Sequence, residues 1–244
     1  MRLASGMVGV ALGCQLTPSP SRPQDRNGRL SARPLPDRGA PAAGLAPLGL
    51  RSGRDGVVYV PSALATTAAV PLILHLHGAG GSAQGALAML QSLADEVGCV
   101  LLVPDSRGPT WDAITGVYGG DVSFINEALS LVFGRFTVDP ARVVVAGFSD
   151  GASYALAIGR INGDLFTRVV AFSPGFLPAG SPVGKPPIFI THGTNDPVLP
   201  LETTSRRIID ELGATGYDVT FRQFNGGHTV PAALAREALT WAVG

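Results

Sequence analysis

The sequence is poor in charge and holds no excess of either sign. Charged residues make up 15% of its 244 positions, and Lys plus Arg equal Asp plus Glu at 18 each. A chain without net charge offers no steering field for polyanions, which argues against a nucleic-acid partner. Its two cysteines, Cys14 and Cys99, stand at unrelated places and make neither a disulfide framework nor a metal site. No metal or organic cofactor is implied. No apolar run approaches the ~20 residues needed to span a bilayer, so the sequence names no membrane partner. Internal repeats are absent, and nothing signals an oligomeric state. What remains is a chain that is 45% apolar, with 32 glycines and 20 prolines. That is enough to bury the core of one large α/β domain, and too little for two ordinary ones.

The first 43 residues read differently from the rest. Residues 1–14 carry Arg2, a short apolar stretch and Leu12-Gly13-Cys14, followed by Thr17-Pro18-Ser19-Pro20-Ser21. This pattern is that of a lipoprotein-type signal with a tether, which would export the chain and anchor it through Cys14. The order Ala11-Leu12-Gly13 inverts the usual large-then-small run and favours a frayed or misassigned start and a cytoplasmic location. Residues 15–44 have no apolar period and are expected to form a mobile or surface-hugging arm. The folded domain is expected over 44–244.

Within that domain, short apolar runs alternate with helix-compatible segments, the pattern of a parallel sheet covered on both faces. Strands are expected at 45–50, 56–60, 72–77, 100–104, 142–148, 168–172, 188–192 and 219–224, the first two as an antiparallel hairpin. Leu87, Leu90, Leu93 and Val97 give helical spacing over 83–97, as do Phe124, Ile125, Leu129 and Val132 over 121–133. Segments 201–212 and 230–243 complete the helices around the central turn. Thr229 is a candidate cap for the last one, with Pro231 in its first turn. The fold expected is α/β, a mostly parallel eight-stranded sheet with helices on both faces.

The sharpest local signal is Gly147-Phe148-Ser149-Asp150-Gly151. It follows the apolar run Val143-Val144-Val145-Ala146 and precedes a helix-compatible stretch. A serine on such a strand-to-helix turn is held exposed and strained, and the flanking glycines keep side chains out of the bend. The helix start sets positive dipole beside any oxyanion formed there. A second glycine turn, His77-Gly78-Ala79-Gly80-Gly81, ends the third strand. Ala79 N–H and Asp150 N–H are the two expected oxyanion donors. His77 is expected to brace this turn, and His75 to pack or hydrogen-bond.

A serine needs a base to take its proton and an acid to orient that base. On this fold the chain order is Ser, then Asp or Glu, then His. Only His192 and His228 follow Ser149. Asp196 lies just beyond the seventh strand and His228 just beyond the eighth, which makes Asp196 the acid, His228 the base and His192 structural. Asp105, Asp121, Asp150 and Asp218 are the rival carboxylates. Asp150 is better placed as an anion at its own helix start, and Asp218 sits at the wrong end of the sheet.

Taken together, Gly-Phe-Ser-Asp-Gly, His-Gly-Ala-Gly-Gly, His-Gly-Thr-Asn-Asp-Pro-Val-Leu-Pro and Gly-Gly-His-Thr-Val-Pro resemble the bacterial phospholipase/carboxylesterase-like family of α/β-hydrolases. That group is related to dienelactone-hydrolase-like and polyhydroxybutyrate-depolymerase-like esterases. The resemblance runs from about residue 44 to the end and touches the arm at Asn27–Pro34. It implies an α/β-hydrolase fold, a broad esterase activity and a triad on Ser149, Asp196 and His228.

The interval between Ser149 and Asp196 is already filled by a helix and two strands, so no large lid is expected. The site should lie open between loops 104–121 and 173–186. Trp111, Tyr118 and Phe176 on those loops are the candidate substrate-binding residues. The function expected is hydrolysis of short-chain or aryl carboxylic esters through an acyl-enzyme, on a small-molecule ester or a polyester. Thioesterase, lactonase and polyester depolymerase are alternatives with the same triad. A catalytically silent binding protein is the alternative of another class.

Overall fold

The computed structural model describes residues 27–66 and 69–244, so the expectations for residues 1–26, Cys14 among them, lie outside it. Among the described residues, eight strands form one sheet: β1 (Gly44–Pro47), β2 (Gly56–Val60), β3 (Val70–Leu76), β4 (Val100–Pro104), β5 (Val138–Phe148), β6 (Arg168–Phe172), β7 (Ile188–Gly193) and β8 (Val219–Phe224). Their order across the sheet is β1-β2-β4-β3-β5-β6-β7-β8. β1 and β2 are antiparallel, β2 meets β4 antiparallel, and all other pairs are parallel. Among the described residues the five α-helices are α1 (Ala83–Val97), α2 (Gly120–Arg135), α3 (Asp150–Ile161), α4 (Ser205–Ala214) and α5 (Ala232–Val243).

The sheet separates two apolar cores. One is built from α1 and α5 against Ile73, Leu101, Val144, Val170 and Phe189. The other is built from α2, α3 and α4 against Leu72, Leu74, Val143, Val145 and Ile190. Alternate residues of β3, β4 and β5 thus face opposite helical layers, which is why those strands read as unbroken apolar runs.

Departures from the expected boundaries have local causes. β1 stops at Pro47 because the Asp55 carboxylate takes the N–H groups of Gly49, Leu50 and Arg51 into a turn. α4 begins at Ser205, after a 3-10 turn over Leu201–Thr203. Pro231, not Thr229, occupies the N-cap of α5, and no side chain caps that helix.

Of the two expectations for the arm, mobile or surface-hugging, residues 27–43 take the second and pack on the domain that begins at β1. Asn162 accepts from Leu30 N–H at 2.8 Å and donates to Gly28 O at 2.9 Å. Asn126 accepts from Ser31 and Ala32 N–H at 2.7 and 2.9 Å, and Arg29 and Arg33 both grip Asp164. Leu30 and Ala32 are buried in the α3 core. The segment lacks an apolar period because it borrows hydrogen-bond partners from α2 and α3 instead of making its own.

Candidate active site

Ser149 ends β5 and begins α3 with φ 57° and ψ −121°, a left-handed conformation unusual for a side-chain-bearing residue. Its N–H donates to Phe172 O at 2.9 Å, and its carbonyl takes Ala152 N–H and Ser153 N–H at 2.9 and 3.1 Å. The turn closes only with glycine on both sides. A Cβ on Gly147 would lie 2.1 Å from Gly151 O, and one on Gly151 would lie 2.2 Å from Leu76 O.

The structure brings Ser149, His228 and Asp196 together from three different strand ends. His228 Nε2 lies 2.9 Å from Ser149 Oγ, and His228 Nδ1 lies 2.6 Å from Asp196 Oδ2. The carboxylate only accepts, so Nδ1 carries the proton and Nε2 accepts from the serine hydroxyl. Asp196 Oδ1 takes Val198 and Leu199 N–H, both at 2.9 Å. Burial works against the charged carboxylate. The Leu199 N–H, the His228 ring and the Val198 N–H outweigh it and hold Asp196 below the usual carboxylate range. The His228 ring rests on Phe148, with ring centres 4.7 Å apart.

The glycine turn after β3 sits directly against the serine: a Cβ on Gly78 would lie 3.3 Å from Ser149 Cβ. Gly80 N–H donates to Pro109 O and Gly81 N–H to Gly78 O, whereas Ala79 N–H and Asp150 N–H make no such bond. Two unengaged donors therefore stand at the edge of the site. His77 braces the turn, donating from Nδ1 to Gly78 O at 2.7 Å and accepting Ser106 N–H on Nε2 at 3.0 Å.

Sequence reasoning missed three supports. Arg54, from the β1–β2 turn, reaches His77 Nε2, Gly81 O and Ser106 Oγ at 3.1–3.2 Å and clamps the glycine turn from outside. Thr110 donates to Asp150 Oδ2 at 2.6 Å, tying the 104–121 loop to the start of α3. Ser153 Oγ takes Gly175 and Phe176 N–H, fixing the 173–186 loop beside the site. Each bond joins segments distant in the chain, and no local pattern announces it.

Two of the three proposed substrate-binding residues are elsewhere. Trp111 is 0% exposed, stacked on Tyr154 with ring centres 5.3 Å apart, its Nε1–H given to His77 O at 2.8 Å. It is an inner brace and offers no face to a ligand. Tyr118 is also buried, leaning on Tyr154 and donating its hydroxyl to Ala179 O at 2.6 Å. It fastens the two loops together. Phe176 is 41% exposed on the rim, with Val198 61% exposed on the loop that carries Asp196. No helix occupies the chain between β6 and β7, so no lid of that origin covers the serine.

The rival carboxylates have structural partners. Asp105 takes Ala83 N–H at the start of α1. Asp121, pushed up to about 6 chiefly by burial, takes the N–H groups of Arg107 and Asp112. Asp218 lies at the opposite end of the sheet, its carbonyl on Ile188 N–H where β7 begins.

Residues 123–238 match the phospholipase/carboxylesterase family. A bifunctional acetylxylan esterase/xylanase from Neocallimastix patriciarum is 32% identical over 155 residues, spanning 61% of this chain and 22% of that protein. Feruloyl esterase C from Emericella nidulans is 29% identical over 187 residues, spanning 69% of this chain and 65% of that one. This chain thus spans between about a fifth and two thirds of the length of these relatives. Among solved structures, the fluorophosphonate-binding serine hydrolase F of Staphylococcus aureus superposes with a TM-score of 0.65 at 18% identity. That match covers 83% of this chain and all of that one.

Proposed function

We propose that this chain, an α/β-hydrolase related to the phospholipase/carboxylesterase family, is a serine hydrolase that cleaves carboxylic esters through an acyl-enzyme on Ser149. The observation that carries this reading is the hydrogen-bonded file of Ser149 Oγ, His228 and Asp196 at a strained strand-to-helix turn. In the first half-reaction Ser149 Oγ bonds to the ester carbonyl carbon and its proton passes to His228 Nε2. The carbonyl oxygen becomes an oxyanion and accepts from Ala79 and Asp150 N–H. The bond to the alcohol then breaks, and His228 returns the proton to the departing oxygen. Water repeats the sequence on the acyl-enzyme, giving up a proton to His228, and releases the acid and free serine. Asp196 stays ionised throughout and stabilises the imidazolium that forms twice per turnover.

The absence of a helix between β6 and β7 supports short-chain or aryl esters over long-chain triglycerides. An open site buries only the first few methylenes, each worth about 0.8 kcal/mol. The names of the relatives, acetylxylan esterase and feruloyl esterase, agree with a small acyl group or an aromatic one. A fluorophosphonate probe applied to wild type and Ser149→Ala, followed by nitrophenyl esters from acetate to palmitate, tests the reading. Labelling and turnover that vanish in Ser149→Ala, with rates falling toward palmitate, are expected. Full turnover in Ser149→Ala ends the mechanism, and a preference for palmitate ends the substrate reading.

A further inference from the structure

The Gly78 carbonyl and Ala79 N–H are the two ends of one peptide unit. A trans peptide is planar, so its C=O and N–H point in opposite directions, and whatever holds the oxygen also aims the hydrogen. Gly78 O takes two donors, His77 Nδ1–H at 2.7 Å and Gly81 N–H at 3.0 Å. The preceding unit is held in the same way, since Trp111 Nε1–H donates to His77 O at 2.8 Å. Of the two donors on Gly78 O, the Gly81 amide always carries its proton. His77 Nδ1 does not, because an imidazole has a choice of nitrogens.

Two donors make that choice. Ser106 N–H meets Nε2 from 3.0 Å and an Arg54 amino group meets it from 3.2 Å, so Nε2 accepts and the proton sits on Nδ1. Arg54 is itself anchored. Its Nε donates to Ser106 O at 2.5 Å, and the same amino group reaches Gly81 O and Ser106 Oγ at 3.1 Å. A second proton, on Nε2, would meet both Ser106 N–H and Arg54 donor to donor and open the turn. Burial opposes that proton most. The Gly78 carbonyl favours it, the Arg54 charge opposes it and Asp105, 3.9 Å from Arg54, favours it, which leaves the His77 pKa lowered. His75, two residues back on β3, stays neutral down to about pH 3.

We propose that Arg54 is a positioning residue for the oxyanion site: by keeping His77 protonated on Nδ1 alone, it holds the Gly78–Ala79 peptide with Ala79 N–H turned toward the oxyanion. The inference deepens the esterase reading given above and rests on it. Arg54 acts through His77 and not on the substrate. A donor that swings away costs rate and little ground-state affinity, because the charge it meets exists only in the transition state. The guanidinium suits this place because it stays charged at every working pH and its planar fork spans Ser106 O and His77 Nε2 together.

The test is kinetic, on wild type, Arg54→Met and Arg54→Lys with nitrophenyl acetate, the active sites counted by fluorophosphonate labelling to completion. At about pH 8, Arg54→Met is expected to lose about tenfold in kcat with KM little changed, part of the ~10²–10³ that outright loss of an oxyanion donor costs. Affinity for a trifluoromethyl ketone, whose adduct with Ser149 carries the oxyanion, should fall by the same factor. At about pH 5.5 the gap from wild type should widen severalfold, because His77 without Arg54 takes the second proton more readily. Arg54→Lys keeps the charge beside Nε2 and should follow the wild-type pH dependence. It carries the test if Arg54→Met does not fold, since a gap that widens at low pH despite the retained charge overturns the inference. Unchanged kcat in Arg54→Met, a loss that spares trifluoromethyl ketone affinity, or a gap that is constant in pH overturns it too, while wild-type turnover leaves the esterase reading standing. Absence of turnover in folded wild type removes the esterase reading, and the role of Arg54 with it.

Discussion

His192 Nε2 lies 3.3 Å from Asp196 Oδ2, the same oxygen that His228 Nδ1 engages at 2.6 Å. One carboxylate oxygen thus faces two imidazoles, and their other contacts separate their roles. His192 is sealed in, with Nδ1 on Ser205 Oγ and Nε2 on Leu199 O, both at 2.7 Å. Burial lowers its pKa, with the Leu199 carbonyl and Asp196 opposing that shift, so it serves as a neutral prop for the Asp196–Leu199 loop. His228 alone reaches Ser149.

His228→Ala is therefore expected to lose several orders of magnitude in kcat, because no second base reaches the serine. His192→Ala should cost about 1–3 kcal/mol of stability by stranding Ser205 and Leu199 O. Its kcat should fall far less, since Asp196 keeps the Val198 and Leu199 N–H groups. Urea unfolding and ester kinetics on both variants decide the matter. Reversed phenotypes would remove Asp196 from the acid's role.

The serine's backbone makes a prediction that needs no substrate. A non-glycine residue at φ 57°, ψ −121° stores about 1–3 kcal/mol of strain. Ser149→Gly should accordingly be more stable than Ser149→Ala, with both inactive. Gly151→Ala should unfold or be severely destabilised, because its methyl would overlap the Leu76 and His77 carbonyls. Denaturation midpoints in the order Gly above Ala at position 149 are the expected result.

Trp111→Ala is expected to act on stability and not on substrate choice. Its indole is enclosed between His77 and Tyr154, and truncating a buried tryptophan costs about 3–5 kcal/mol. A variant of normal stability with a raised KM confined to aryl esters would place that ring back on the pocket wall.

The buried histidines set an acid limb on stability. His75 falls from 6.5 to about 3 through burial, so between those values the unfolded chain binds a proton that the folded chain refuses. Stability is then full above about pH 6.5 and declines as pH drops, by up to ~1.4 kcal/mol per unit, until about pH 3. His77 and His192 are lowered in the same direction, again mainly by burial. Asp164, held at about 2 by Arg29 with Arg33 in support, adds a loss that begins below the usual carboxylate value and ends near pH 2. His75→Leu should flatten the upper part of this limb in thermal scans from pH 7 to 3. An unchanged slope would show that His75 does not titrate on unfolding as burial requires.

Much of this protein is legible without coordinates. The eight strands, the hairpin at the sheet edge and the helix over 83–97 follow from apolar runs and spacings within about twenty residues, which are local signals. The positions of Ser149, Asp196 and His228 at strand ends follow from chain order on a sheet whose strands run parallel. The inward positions of Trp111 and Tyr118 are not legible, for a related reason. An aromatic in a glycine-rich loop reads the same whether it faces solvent or the core, and only partners outside the loop, His77 and Tyr154, reveal that Trp111 points inward.

The sequence by itself determined where the chain turns, which residues form the sheet and which serine sits on a turn that admits only glycine beside it. Tertiary structure decided what those elements hold between them. It folded residues 27–43 onto Asn126, Asn162 and Asp164, set Arg54 behind the glycine turn, and gave Asp196 a second imidazole. It also left His75 without a partner at the wall of a cavity. Periodicity and turn chemistry act over a few residues, whereas these relationships are distances between side chains on separate elements. Those distances exist only once the two cores have packed against the sheet and fixed every strand end in place.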